Sequence, residues 1–171
     1  MSNTLLITSQ YNAVYSAEDI NTVVNLADVI WHQHYTPIIG REQVLYMLDK
    51  FHTATAVNEQ IHEQNFQYYL IQYQGNNVGY LAIQQRKQEL FLSKIYLLSS
   101  MRGKGIGKQA MEFIKEQAKS LNCEAISLTV NKHNTDTIAA YKKIGFVKTG
   151  EAVFDIGNSF VMDDYLMSLS L

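Results

Sequence analysis

Apolar positions along this chain change their period part-way through. Between residues 16 and 51 they recur at helical spacing, first Ile20, Val23, Val24, Ala27, Ile30 and Trp31, then Val44, Leu45, Met47 and Leu48. Ser16 offers a side-chain oxygen to the free N–H groups of a first turn, and Glu18 and Asp19 suit the positive end of the helix dipole. This helix is expected to end near Tyr35, because Pro37 disfavours helical geometry at Thr36. Further helices are expected over residues 41–51 and 55–64, and residues 4–8 are apolar enough for an opening strand.

Beyond residue 65 the pattern becomes that of strands. Residues 66–74 and 78–84 flank the turn-forming Gly75-Asn76-Asn77 and read as a hairpin; residues 89–98 form a third run, long enough for a central strand. A glycine-rich segment, residues 102–108, then leads into an amphipathic helix with Ile106, Ala110, Phe113, Ile114, Ala118 and Leu121 on one side. Residues 125–130 alternate as a strand, Asn134 can cap another helix, and Gly145 suits its left-handed end. Residues 146–154 and 160–169 close the pattern as two strands. Hairpins at both ends with β-α-β between them predict an α/β domain with a mixed sheet.

Composition narrows the function classes. A chain of 171 residues with one proline, no repeat and no low-complexity stretch is expected to be a single domain. With 14 basic and 16 acidic side chains, net −2, it lacks the basic excess of a nucleic-acid module. Its longest apolar runs, such as residues 95–98, are far too short for a membrane span. Met1-Ser2-Asn3-Thr4 has no basic region followed by an apolar one, so no secretory signal and a cytoplasmic location are expected. Cys123 is the only cysteine, which excludes an internal disulfide and a cysteine-based metal site. Cys123 is expected to be a buried or spectator thiol.

The glycine-rich segment carries the chemistry. Arg102-Gly103-Lys104-Gly105-Ile106-Gly107-Lys108 lies between a strand and a helix, so unpaired N–H groups and three cationic side chains would meet at one place. That combination suits a pyrophosphate; a solvated basic turn is the plain alternative. A nucleotide P-loop does not fit, because only three residues separate Gly103 from Gly107 and Gln109 stands where serine or threonine is needed. Gly105, Gly107 and Ala110 fit the dinucleotide pattern, but Glu124, at the position for its ribose-binding acid about 20 residues on, begins its strand and faces the opposite edge of the sheet.

Arg102-x-x-Gly105-x-Gly107 resembles the acyl-CoA signature of the GNAT N-acetyltransferase superfamily, Gln/Arg-x-x-Gly-x-Gly/Ala. Asn131-Lys132-His133-Asn134 followed by Ala140-Tyr141-Lys142-Lys143-Ile144-Gly145-Phe146 is similar to its second cofactor segment. Across residues 46–50, 59–61 and 160–167 the chain also resembles the PaiA-type branch, associated with polyamine acetylation. The resemblance implies a mostly antiparallel sheet of six to seven strands, splayed between strands 4 and 5, with four or five helices. It implies acetyl-CoA as cosubstrate and no metal. Backbone groups of Ile95, Tyr96 and Leu97 would hold pantetheine; Arg102, Gly103, Lys104, Gly105, Ile106, Gly107 and Lys108 would take the pyrophosphate, with Asn134 and Lys143 completing the cofactor site.

The implied reaction is direct attack of a neutral amine on the thioester, with a backbone N–H for the oxyanion and a donor for the departing sulfur. Tyr141 takes the donor role by resemblance; packing against Ile138 and Ile144 is the structural alternative. The resemblance suggests Glu89 as base on the central strand, where alternation gives it the face of Phe91, Ser93, Ile95 and Leu97 unless a bulge intervenes; an exposed strand-end acid is the equal alternative. Trp31 and Tyr35 lie where the superfamily builds its acceptor site, with core packing the default for Trp31. His32 and His34 point in different directions on a helix and make no metal pair; they read as surface or acceptor-pocket histidines. Asp163 and Asp164 are a pair of acids that could attract a cationic amine, with solvent-facing carboxylates the favoured reading. The expected partner is a small amine, a polyamine such as spermidine first, with no nucleic acid and no membrane; a homodimer is admitted. Transfer to a protein N-terminus or lysine, and a non-catalytic acyl-CoA-binding regulator, are the alternative readings.

Overall fold

The computed structural model describes residues 8–171. Along the chain run β1 (Gln10–Ala13), α1 (Ala17–His34), α2 (Thr36–Ile39), α3 (Arg41–Phe51), α4 (Ala54–Glu63), β2 (Phe66–Tyr73), β3 (Asn76–Arg86) and β4 (Glu89–Leu97). After a 3-10 turn at Ser99–Met101 come α5 (Ile106–Ser120), β5 (Ala125–Asn131), α6 (Thr135–Ile144), β6 (Val147–Gly157) and β7 (Phe160–Ser170). The strands form one seven-stranded sheet in the order β1-β2-β3-β4-β5-β7-β6. Every neighbouring pair is antiparallel except β4 with β5, which is parallel.

The two faces of this sheet bury two separate apolar clusters. On one face, Ile106, Ala110, Ile114 and Ala118 of α5 pack on Leu81, Ile83, Leu90, Leu92, Ile126 and Leu128. On the other, Ile30 and Trp31 of α1, Val44 and Met47 of α3 and Val57 of α4 cover Tyr68, Leu70, Tyr80 and Ala82. Fully burying each large apolar side chain contributes about 1.5–3 kcal/mol, so both faces must be covered for the domain to hold. Strand β3 is buried on both sides through its middle, which accounts for its unbroken apolar run.

Local signals set most element ends. The Ser16 side chain accepts the Asp19 N–H at 3.1 Å and starts α1. Thr53 does the same for Ala56 at 3.1 Å, so α4 begins at Ala54, one residue before the sequence expectation. Gly145, at φ +121°, ends α6 and returns its N–H to the Tyr141 carbonyl at 3.2 Å.

Three features differ from the sequence reading. Pro37 interrupts α1 but also opens the four-residue α2, where its missing N–H has no helical partner to lose. Of the expected strand over residues 4–8, all but Thr8 lies outside the described residues, and Thr8 is in no element. The first described strand is instead β1, a short edge strand paired with β2 and anchored by Tyr11 stacked at 4.2 Å on Phe113. Leu45, expected in the buried stripe of α3, is 45% exposed, while Val44 and Met47 face the core. Among the described residues, no helix is long and apolar enough to cross a membrane.

Candidate active site

The site begins where β4 and β5 part. They pair only at Glu89↔Ala125, Leu90↔Ile126 and Phe91↔Ser127. Beyond Phe91, β4 continues on β3 while β5 continues on β7, so their facing edges are left free. The opening widens into a cleft of about 1070 Å³ whose walls include Ile95, Tyr96 and Leu97 of β4, Asn134 of the β5–α6 connection and Tyr141 of α6. Exposed backbone along β4 is available there to an extended ligand, as an added strand would use it.

A bulge at the start of the opening decides which side chains face it. Ala82 pairs with Lys94 and Ile83 with Leu92, so Ser93 is the extra residue in β4. Alternation therefore flips: Leu90, Leu92, Ile95 and Leu97 all belong with the α5 cluster, whereas Tyr96 belongs with the α1 cluster. Glu89 accordingly does not share a face with Ile95 and Leu97. It is exposed at the closed end of the β4–β5 pair and is absent from the cleft walls.

At the open end the chain turns into α5 through Gly103 and Gly105, at φ +77° and +79°, a backbone region that strains any residue with a Cβ. Gly105 caps α5 with no side-chain bond, and the first helical bond is Gln109 N–H to Gly105 C=O at 3.1 Å. The N–H groups of Ile106, Gly107 and Lys108 are thus left without helical acceptors. Arg102, Gly107 and Lys108 line the cleft; the Ile106 side chain is in the core, so only its backbone is available, and Lys104 is exposed beside the loop. A Cβ at Gly107 would meet nothing nearer than Leu97 Cδ1 at 3.9 Å, leaving open space before the helix terminus.

Across the cleft, Asn134 occupies the N-cap position of α6 and is buried, but its side chain makes no capping bond. It turns toward His34, the last residue of α1, and Tyr35 just beyond it, and shifts the proton affinity of both. Arg102 donates to His34 Nδ1 at 3.1 Å, tying the glycine loop to the end of α1. Burial first, then the Arg102 charge, lower the His34 pKa and favour the neutral ring. Tyr141 packs against Phe146 at 5.4 Å between ring centroids, and burial raises its pKa, so its phenol keeps its proton. Lys143 of α6 is exposed on the same wall.

On the α1 side the wall is aromatic. The Trp31 and Tyr35 rings lie 4.4 Å apart between centroids, tilted by 31°, and the hydroxyls of Tyr35 and Tyr96 lie 3.1 Å apart. Trp31 and Tyr35 are thus brought together with the cofactor-side residues in one cleft. Lys94 also reaches this side, over the Tyr68 ring at 5.3 Å, and burial lowers its pKa to about 7.

The two aspartates of β7 part company. Asp163 pairs with Lys132 at 2.9 Å, but Asp164 is 3% exposed and lines the cleft, not solvent. Burial pushes its pKa up to about 6, with the Thr129 hydroxyl opposing and Asp163 adding to the rise. Lys94 lines the cleft without any signal in the sequence, which for Asp164 and His34 leaves open whether they face solvent or the acceptor pocket. Strand alternation in β7 separates Asp163 from Asp164, but which of them faces inward depends on the pairing with β5. Among the described residues, no group of three or more His, Cys, Asp or Glu is placed to hold a metal ion; His32 instead lies 3.6 Å from Asp28. Cys123 is a buried free thiol whose pKa burial raises.

A parallel pair that opens over a glycine-capped helix terminus is the arrangement the sequence resemblance implies, and the family comparison agrees. The model of the acetyltransferase (GNAT) family matches residues 29–146, and the chain belongs to this family. One curated relative, the N-acetyltransferase YdgE of Bacillus subtilis (strain 168), is 30% identical over 80 residues, 44% of this chain; the chain spans about half of that relative, 51%. The PaiA N-acetyltransferase of Thermoplasma acidophilum, solved in complex with coenzyme A, superposes with a TM-score of 0.77 at 18% identity, covering 96% of this chain and 100% of that one. A dodecameric spermidine N-acetyltransferase from Vibrio cholerae superposes at 0.67 and 18% identity, covering 95% and 94%. Identities this low establish the shared fold.

Proposed function

We propose that the protein transfers an acetyl group from acetyl-CoA directly to the primary amine of a small molecule. One observation carries this reading: β4 and β5 separate after Phe91 and the opening ends at the glycine-capped N-terminus of α5. The residues present fit the cosubstrate. Free N–H groups at Ile106, Gly107 and Lys108, with the charges of Arg102, Lys104 and Lys108, suit a diphosphate, and Gly103 and Gly105 allow the backbone its turn. Ile95, Tyr96 and Leu97 offer backbone to pantetheine, with Asn134 and Lys143 on the opposite wall. When bound, acetyl-CoA supplies the activated acyl group; the chain's own groups orient it and manage protons.

Tyr141 is the proton donor to the departing sulfur. A thiol's ordinary pKa is about 8.5, so a neutral phenol held in place is sufficient near neutrality. Trp31 and Tyr35 belong to the acceptor wall. Glu89 has no part in this reading, being at the far end of β4. The finer proposal, a polyamine such as spermidine as acceptor, is supported by the branch resemblance and by the spermidine acetyltransferase among the similar structures.

The test is product mass spectrometry after incubation with acetyl-CoA and a panel of amines including spermidine, followed by kinetics of Tyr141→Phe. The expected result is an N-acetylated product from wild type and a kcat lower by about 10²-fold in the variant, with little change in amine KM. Wild type that binds acetyl-CoA and acetylates no amine in the panel would refute the proposal; full activity in Tyr141→Phe would remove only the tyrosine's role.

A further inference from the structure

We infer that the α1 face of the cleft is a binding site for a primary ammonium carried on an unbranched aliphatic chain, with Asp164 as the group that holds the ammonium and takes its proton. The faces of the sheet carry the argument. Strand β7 alternates so that Tyr165, Met167 and Leu169 join the α5 cluster, while Met162, and with it Asp164, face the α1 side. Tyr141 comes from α6 on the former side; Trp31, Tyr35 and Tyr96 come from the latter. The sheet opening therefore joins a cofactor side to an acceptor side, and Asp164 belongs to the second.

Three carboxylates line the cleft among the described residues: Glu112 on α5, Asp136 on α6 and Asp164. Glu112 lies 3.3 Å from Lys115 and Asp136 is exposed at the start of α6. Asp164 has no ion-pair partner among the described residues, since Lys132 bridges Asp163 and Glu151. A carboxylate buried to 3% without a cation is costly to the fold, and a cationic ligand relieves that cost. Its pKa, raised to about 6, still leaves it mostly ionised at neutral pH and able to take a proton. The acceptor wall is mixed: Trp31, Ile39, Met47 and Met162 of the α1 cluster line the cleft, together with Lys94 and the hydroxyls of Tyr35 and Tyr96. Methylene groups suit the apolar part of that wall, and the carboxylate of an α-amino acid is repelled by Asp164.

The step balances. One ammonium N–H bond breaks and its proton passes to Asp164; the freed pair forms the C–N bond to the acetyl carbon as the C–S bond breaks. The nitrogen sheds a second proton, and the sulfur gains one through Tyr141. Asp164 returns its proton to water, so each turnover releases one proton, one amide and one thiol.

The fate of the amine rests on the proposed acetyl transfer, whereas its binding does not, and the experiment separates them. Calorimetry is run on the CoA-bound protein with hexylamine and with hexan-1-ol, its neutral counterpart. Wild type is expected to bind hexylamine at least about tenfold more tightly than Asp164→Asn, with hexan-1-ol indifferent to the change. Acetylation of hexylamine and of spermidine is expected to fall about 10²-fold or more in kcat/KM, with acetyl-CoA affinity unchanged. Asp164→Ser gives the same readout should the amide not be accommodated. Equal amine binding and equal kcat/KM in wild type and both variants would overturn the inference. Asp164-dependent binding without any acetylated product would uphold the site and refute the transferase reading.

Discussion

The two faces of the sheet solve different binding problems. In the proposed cofactor site the contacts are largely main-chain, from the free edges of β4 and β5 and the N–H groups of Ile106, Gly107 and Lys108, with the charges of Arg102, Lys104 and Lys108 beside them. In the proposed acceptor site on the α1 face they are side chains, Trp31, Tyr35, Tyr96, Met162 and Asp164, drawn from parts of the chain that lie far apart in sequence. A main-chain site needs glycines at defined spacing and so leaves a motif. A side-chain site can be assembled from many residue types and leaves none. The first face suits a ligand of fixed chemistry; the second can be changed by substitution without touching the first.

That independence can be attacked where the faces share a strand. Gly79 of β3 is such a point, because a Cβ there would lie 2.1 Å from the Tyr96 carbonyl oxygen and 2.9 Å from a Leu97 methyl. Both neighbours belong to the stretch of β4 that borders the opening. Gly79→Ala is expected to destabilise the domain by about 3 kcal/mol, read by urea unfolding, and to weaken both coenzyme A and amine binding. Loss at one face only would show that β4 is not the shared support.

Gly105→Ala sharpens the contrast. Its φ of +79° makes a Cβ unfavourable by about 1–2 kcal/mol, and the loop must shift to relieve it. Coenzyme A affinity is expected to fall about tenfold by calorimetry while hexylamine binding stays unchanged. An equal loss for both ligands would contradict separate faces.

Lys94→Met is the mildest and concerns the α1 face alone. Burial holds the Lys94 amine at a pKa of about 7, below its ordinary 10.5. A depressed pKa of this kind contributes stability above pH 10.5 that is lost as pH falls through 7. Methionine does not titrate, so the variant's gain in melting temperature should be largest near pH 6 and shrink toward pH 10. A pH-independent difference would mean that the amine is charged in the folded protein at all these pH values.

Much of the fold was legible before the structure was seen. Cap residues Ser16 and Gly145, the hairpin around Gly75 and the amphipathic stripe of α5 each act within a few residues, and each element appears where they put it. The glycine loop was legible for the same reason. The short α2, the edge strand β1 and the bulge at Ser93 were not: Pro37 is compatible with both a stop and a new start, and a bulge arises from how β4 registers against β3.

By itself, then, the sequence determined a glycine-rich helix terminus behind a strand, because backbone dihedrals and unpaired N–H groups are local properties. The tertiary structure alone decided that Glu89 stands at the closed end, that Asp164 turns inward while Asp163 meets Lys132, and that His34 meets Arg102. Each of those outcomes depends on strand register or on contacts between residues far apart in the chain. An inserted residue in one strand reverses every side chain after it, and nothing within the strand's own sequence announces the insertion.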